Sequence, residues 1–169
     1  MVRNDDGVSL YLGGSRVRGT SGGHVNTGAT NAEQPVAAVQ LLSHSTVLLV
    51  DDVARAIDYY RDKLGFQVDT YDTLPEHYGF AQRDACGVHF AHWDGVHPRP
   101  NSDAVPPDMF DLYIYAEDVE GLYEELVGRG AEIVHGPVNQ GYGTHEFRVR
   151  DPHGYVLAFG RIRDTGASN

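Results

Sequence analysis

Thr46-Val47-Leu48-Leu49-Val50-Asp51-Asp52-Val53 returns sixty-six positions later as Leu112-Tyr113-Ile114-Tyr115-Ala116-Glu117-Asp118-Val119. Each copy runs from a β-branched or aromatic stretch into an acidic pair, and a helical pattern then begins at Asp52 or Asp118 and closes near Gly65 or Gly130. Aspartate suits a first helical position because its side-chain oxygen accepts from the unsatisfied amides of the first turn. A strand–helix–strand unit used twice cannot bury its helix-facing surface alone, so the two units are expected to pack into one body with a groove between them.

Working outward, the pattern predicts a strand over 41–50, a helix over 52–63 and strands at 66–72, 77–84 and 87–93. The stretch Asp94–Asp108 carries Pro98, Pro100, Pro106 and Pro107, so many in so short a span that helix and central strand are ruled out there and it is expected to be a linker. A second series follows: strand 110–116, helix 118–127, then strands at 131–135, 144–150 and 155–161. Val119, Leu122 and Leu126 share one face of that helix, leaving Glu120, Glu124 and Glu125 for solvent. The fold class is therefore α+β, built from two βαβββ modules at about 41–93 and 110–161 within a single domain over 36–169. Residues 1–35 are crowded with Gly, Ser, Thr and Asn and read as a disordered tail.

Composition narrows the function classes. With 169 residues and 41% hydrophobic content, the chain has material for one sizeable core. Three basic residues balance three acidic ones before Val36, so the net charge of −11 belongs to residues 36–169. Such a surface disfavours nucleic acid, whose phosphates require a basic face, and suits a neutral or cationic small molecule. No apolar run is long enough to span a bilayer and no secretion-type leader opens the chain, so a cytoplasmic location is expected, with no membrane partner. Cys86 is the only cysteine and reads as a small buried or half-buried thiol.

Three stretches carry a family resemblance. Asp52-Val53-Ala54-Arg55-Ala56-Ile57-Asp58-Tyr59-Tyr60-Arg61-Asp62-Lys63-Leu64-Gly65-Phe66 resembles the first-helix signature of the vicinal oxygen chelate superfamily of glyoxalases, bleomycin-resistance proteins and extradiol dioxygenases. Gly141-Tyr142-Gly143-Thr144-His145-Glu146-Phe147, followed by Asp151-Pro152-His153-Gly154, resembles the signature of the bleomycin-resistance branch, and Val88-His89-Phe90-Ala91-His92-Trp93 resembles that branch's middle strand. The resemblance covers residues 42 to 161 and implies a curved mixed sheet around a groove.

Whether such a groove holds a metal depends on four positions that metal-using members of the superfamily fill with His, Glu or Gln. Here the resemblance places Ser45, His89, Met109 and Ala158 at those positions, with Asp111 in register beside Met109. His44 lies one residue off, and because strand side chains alternate it belongs to the helix-packing face. One ligand out of four does not hold an ion, so no metal and no cofactor are expected. His92 points away from His89, while His97, His135, His145 and His153 sit near turns and read as exposed.

In that register the groove side is Ser45, Val47 and Leu49, then His89, Ala91 and Trp93, then Asp111, Tyr113 and Tyr115. Thr46, Leu48 and Val50, with Phe110, Leu112 and Ile114, face the helices. The expected ligand-binding set is Ser45, Val47, His89, Trp93, Asp111, Tyr113, Tyr115, Tyr142 and Glu146, with the rings stacking a planar ligand and Asp111 and Glu146 pairing with its positive charge. The alternative for the rings is that they complete the sheet core. No nucleophile–base constellation and no phosphate-cradling loop is visible, so no catalytic residue is assigned. The resemblance thus implies a metal-independent homodimer that sequesters an aromatic, cationic small molecule. A metal-dependent lyase, isomerase or ring-cleaving dioxygenase with an unusual ligand set is the alternative, and a metabolite-binding regulatory module is a third.

Overall fold

The computed structural model describes residues 43–71, 73–96, 99–105 and 109–163, together with the backbone of residues 2–3 and 9–10. Val2–Arg3 (β1) and Ser9–Leu10 (β2) pair antiparallel in a unit that ends at Ser43. The rest of the expected tail and His97 lie outside the described residues.

From His44 onward the two modules repeat one topology. The first has β3 (His44–Val50), α1 (Val53–Asp62), β4 (Gln67–Thr70), β5 (Tyr78–Arg83) and β6 (Cys86–His92). After the short α2 (Asn101–Ala104), the second has β7 (Leu112–Tyr115), α3 (Val119–Gly128), β8 (Glu132–Asn139), β9 (Thr144–Arg150) and β10 (Val156–Ile162). The sheet orders are β3-β6-β5-β4 and β7-β10-β9-β8, with one parallel pair in each, β3 with β6 and β7 with β10. These are two four-stranded mixed sheets that do not close on one another.

The repeated aspartates act as the motif requires. Asp52 Oδ1 accepts from the Arg55 amide at 2.9 Å and Asp118 Oδ1 from the Gly121 amide at 2.9 Å, while Gly65 and Gly130 leave each helix with φ of 72° and 77°. Leu48 and Val50 of β3 and Val88 and Phe90 of β6 are buried, and Tyr60 of α1 packs edge-on to Phe90 at 4.7 Å. In the second module Phe147 stacks on Phe159 at 5.3 Å.

The linker departs from expectation. Asn101–Ala104 forms one helical turn directly after Pro100, a place proline tolerates because the first helical amides have no partner to lose. Glu125 also departs: it accepts from Arg83 of the first module at 2.7 and 3.2 Å instead of facing only solvent.

Several polar contacts clasp the modules together. The Tyr59 hydroxyl donates to the Arg150 carbonyl at 2.8 Å, and the Tyr155 hydroxyl to the Leu49 carbonyl at 2.8 Å. Asp151 is buried in the turn that Pro152-His153-Gly154 completes. Its Oδ1 accepts from the His153 and Tyr155 amides at 2.8 and 2.9 Å, and its Oδ2 accepts from the Tyr60 hydroxyl at 3.4 Å. His153 corrects the sequence reading, since its side chain is only 4% exposed and its Nδ1 lies 2.7 Å from Asp51 Oδ1. His145 is likewise sheltered, with Nδ1 2.8 Å from Asn139 Oδ1.

Candidate functional site

Each sheet has one face under its helix and one face left open. On the first, the alternation of β3 turns Ser45, Val47 and Leu49 outward, all exposed, while Leu48 and Val50 go under α1. Val47 pairs across the sheet with His89, and His89 with Phe80, which sets a row of three groove-side residues. His89 lies between two rings, 4.9 Å from Phe80 and 5.8 Å from Tyr78, with its Nδ1 3.1 Å from the Tyr78 hydroxyl. Burial lowers the His89 pKa, which keeps the imidazole neutral at pH 7. Trp93 is 44% exposed but committed to its own loop, since Nε1 donates to the Val96 carbonyl at 2.9 Å and the indole lies against Gly95.

The open face of the second sheet is richer in charge. Pairing sets Tyr113, Ala158 and Arg148 in one row and Tyr115, Gly160 and Glu146 in the next. Glu146 is fully buried. Its Oε1 accepts from the Tyr142 hydroxyl at 2.6 Å and from Arg148 at 2.9 Å, and its Oε2 accepts from the Thr144 hydroxyl at 2.7 Å. Burial pushes the carboxyl up, but the donors from Tyr142, Thr144 and Arg148 outweigh it and hold the pKa below the ordinary value, so the group is ionised. The small residues Ala158 and Gly160 make this possible. The Tyr113 hydroxyl lies over Gly160, where a Cβ would stand, buried and without a hydrogen bond of ordinary geometry. Burial raises its pKa to about 12.

These contacts change the roles of two expected residues. Asp111 does not present a free carboxylate: Oδ1 accepts from the Asn101 amide and Oδ2 from the Val156 amide, each at 2.8 Å, which ties α2 and β10 to the start of β7. Glu146 has its charge matched by Arg148, a residue that sequence reasoning missed although it stands two positions from Glu146 and so on the same face of β9. Phe110 is a correction too. It precedes β7, so strand alternation does not govern it, and its ring lies 5.2 Å from Tyr113 and beneath the Arg148 guanidinium at 5.6 Å instead of under a helix. Tyr78, Phe80 and Thr144 were also missed. Tyr115 and Tyr142 are 67% and 61% exposed, and Tyr115 leans on Tyr113 at 4.9 Å.

A divalent ion, implied for metal-using members of the resembled superfamily, does not fit this donor set. Ser45 and Ala158 bring neither imidazole nor carboxylate, the oxygens of Asp111 already accept two amides, and His89 Nδ1 faces Tyr78. Among the described residues no three His, Cys, Asp or Glu side chains converge. No helix among them is long and apolar enough to cross a membrane.

Comparison with known proteins agrees with this architecture. Residues 42–159 match the model of the Glyoxalase/Bleomycin resistance protein/Dioxygenase superfamily. No curated protein matches the chain. Among solved structures, it is similar to the bleomycin-binding protein of bleomycin-producing Streptomyces verticillus, solved with copper(II)-bleomycin. That pair is 22% identical over 72% of this chain and 97% of the other, with a TM-score of 0.56. TioX from Micromonospora sp. ML1 is 18% identical over 71% and 98%, with a TM-score of 0.55. A glyoxalase/bleomycin resistance protein/dioxygenase from Nocardioides is 13% identical over 80% and 91%, with a TM-score of 0.54. At these identities the likeness is one of fold.

Proposed function

The chain belongs to the glyoxalase/bleomycin resistance protein/dioxygenase superfamily, and on that premise we propose that it is a metal-independent protein that binds a flat, aromatic small molecule and acts by sequestering it. The observation that supports this reading is the set of rings on the two sheet faces that no helix covers: Tyr78, Phe80 and His89 on one, Phe110, Tyr113 and Tyr115 on the other. Stacked ring pairs contribute about 0.5–1.5 kcal/mol beyond area burial, and micromolar capture needs about 8 kcal/mol in all. Preference for a cationic ligand rests on the net charge of −11, since Arg148 matches Glu146 and backbone amides occupy Asp111.

The two open faces belong to separate sheets, so we propose that a homodimer brings the face of one copy against that of the other and completes the groove. Val47 and Leu49, 54% and 37% exposed, and Tyr115 are the apolar surface such pairing would cover. No step of turnover is assigned, and a cytoplasmic location is part of the same proposal.

Calorimetric titration with metal-free and copper(II)-bleomycin tests the reading, together with sedimentation and metal analysis of protein purified without chelator. Micromolar binding that weakens at least tenfold in Tyr113→Ala/Tyr115→Ala is expected, from a dimer. Absence of binding, binding that requires an added divalent metal, or indifference to those substitutions would refute it, and a monomer at tens of micromolar would remove the shared groove.

A further inference from the structure

A cavity of about 350 Å³ opens between the modules, bordered by Tyr115 at the edge of the second sheet's open face. Its apolar lining comes from both modules: Phe66 follows α1, Ile114 and Phe159 lie on the helix-facing sides of β7 and β10, and Leu122 belongs to α3. This volume lies in the range of pockets that hold small organic molecules.

The charges at its mouth do not cancel. Arg83 is the cation in the wall, and its guanidinium is consumed by Glu125 at 2.7 and 3.2 Å and by the Leu64 carbonyl at 2.7 Å. Asp118 is occupied in capping α3. Asp84 and Glu117 remain, both exposed, and neither carboxylate makes a hydrogen bond or ion pair with another described residue. Asp84 is set at the mouth by a tight turn between β5 and β6, with φ of 53°. An apolar floor beneath two unmatched carboxylates complements a molecule with an apolar body and a positive head.

We propose that this cavity is a second small-molecule site, adjoining the open face of the second sheet at Tyr115, and that it takes organic ammonium compounds, with the ring or chain against Phe66, Ile114, Leu122 and Phe159 and the ammonium between Asp84 and Glu117. The site does not depend on dimerisation, since one chain supplies every lining residue.

The test uses the full chain and two probes of equal shape, 1-naphthylmethylammonium and the uncharged 1-naphthylmethanol, followed by methyl NMR and calorimetry at low salt. The ammonium is expected to shift the Ile114 and Leu122 methyl signals and to bind about fivefold more tightly than the alcohol, the ratio two exposed charge pairs of about 0.5 kcal/mol each can supply. Asp84→Asn/Glu117→Gln, at exposed positions, should bring the two affinities together. Leu122→Trp should exclude both probes, whereas Tyr113→Phe/Tyr142→Phe on the open face should leave them bound. Equal affinity for the two probes in the native protein, shifts confined to the open faces, or loss of binding in the Tyr113→Phe/Tyr142→Phe variant would overturn the proposal. Failure of Leu122→Trp to fold leaves the carboxylate variant to decide. Tyr115 borders both sites, so bleomycin binding that persists in Asp84→Asn/Glu117→Gln, which spares every open-face ring, distinguishes failure of this site from failure of the open-face reading.

Discussion

Asp151→Asn isolates the electrostatic cost of the turn that joins the modules. Asp151 is 2% exposed, and its pKa is pushed up from 3.8 to about 6. Burial is the main cause, aided by the nearby Asp111 and opposed by the donors from His153, Tyr155 and Tyr60. A raised carboxyl pKa means that between about pH 4 and 6 the folded chain keeps a proton the unfolded chain has lost. Folding stability therefore falls as pH rises through that window, and the deficit is fully present at neutrality. The interval from 3.8 to about 6 corresponds to about 3 kcal/mol at 1.36 kcal/mol per pH unit. Asparagine stays neutral, keeps an oxygen for the His153 and Tyr155 amides, and can donate its amide hydrogen to the Tyr60 oxygen. His153, whose pKa burial lowers, and Glu146, whose pKa is also lowered, lose stability as pH falls and so mask this trend in the native profile. The difference between variant and native protein removes them. Urea melts at pH 4, 5, 6 and 7 should show Asp151→Asn gaining on the native protein by up to about 3 kcal/mol from the acid end to the neutral end. A difference that stays constant, or that shrinks toward neutrality, would refute the reasoning.

Arg148→Met should destabilise the fold by about 3–5 kcal/mol at pH 7, because it leaves the ionised, fully buried Glu146 without its cation, and Arg148→Met/Glu146→Gln should recover much of that loss. Chemical denaturation of the three proteins checks it, and equal losses in single and double variants would contradict it. Gly160→Ala should cost about 1–3 kcal/mol in thermal melts, since its methyl would meet the Tyr113 hydroxyl and stand 2.7 Å from Glu146 Cβ. A native melting temperature would show that Tyr113 moves aside freely.

How far the letters reach is visible residue by residue. The repeat beginning at Thr46 and Leu112 carries the topology because strand alternation and aspartate caps are local devices, read within a few positions of themselves. The same parity sorts Val47 from Leu48 and Tyr113 from Leu112. It stops at Phe110, which precedes the strand and turns its ring to Arg148. The roles of Asp111, Glu125 and His153 were not legible, because each partner comes from a different element: the Asn101 and Val156 amides, Arg83 and Asp51, whereas Arg148, the partner of Glu146, stands two positions away on the same strand face. A carboxylate reads alike in sequence whether it awaits a ligand or already caps a strand.

That distinction bears on what the open faces can recognise. With Glu146 matched by Arg148 and Asp111 filled by amides, the second sheet offers rings and a neutral polar floor where sequence reasoning expected two negative charges. Discrimination there must come from shape and stacking, with the field of the acidic surface aiding approach of a cation. Two carboxylates with no partner among the described residues, Asp84 and Glu117, stand in the wall of a cavity that both modules line. The two modules thus share one topology while dividing the chemistry between them, with an aromatic cluster around His89 in the first and an ion pair beside tyrosines in the second.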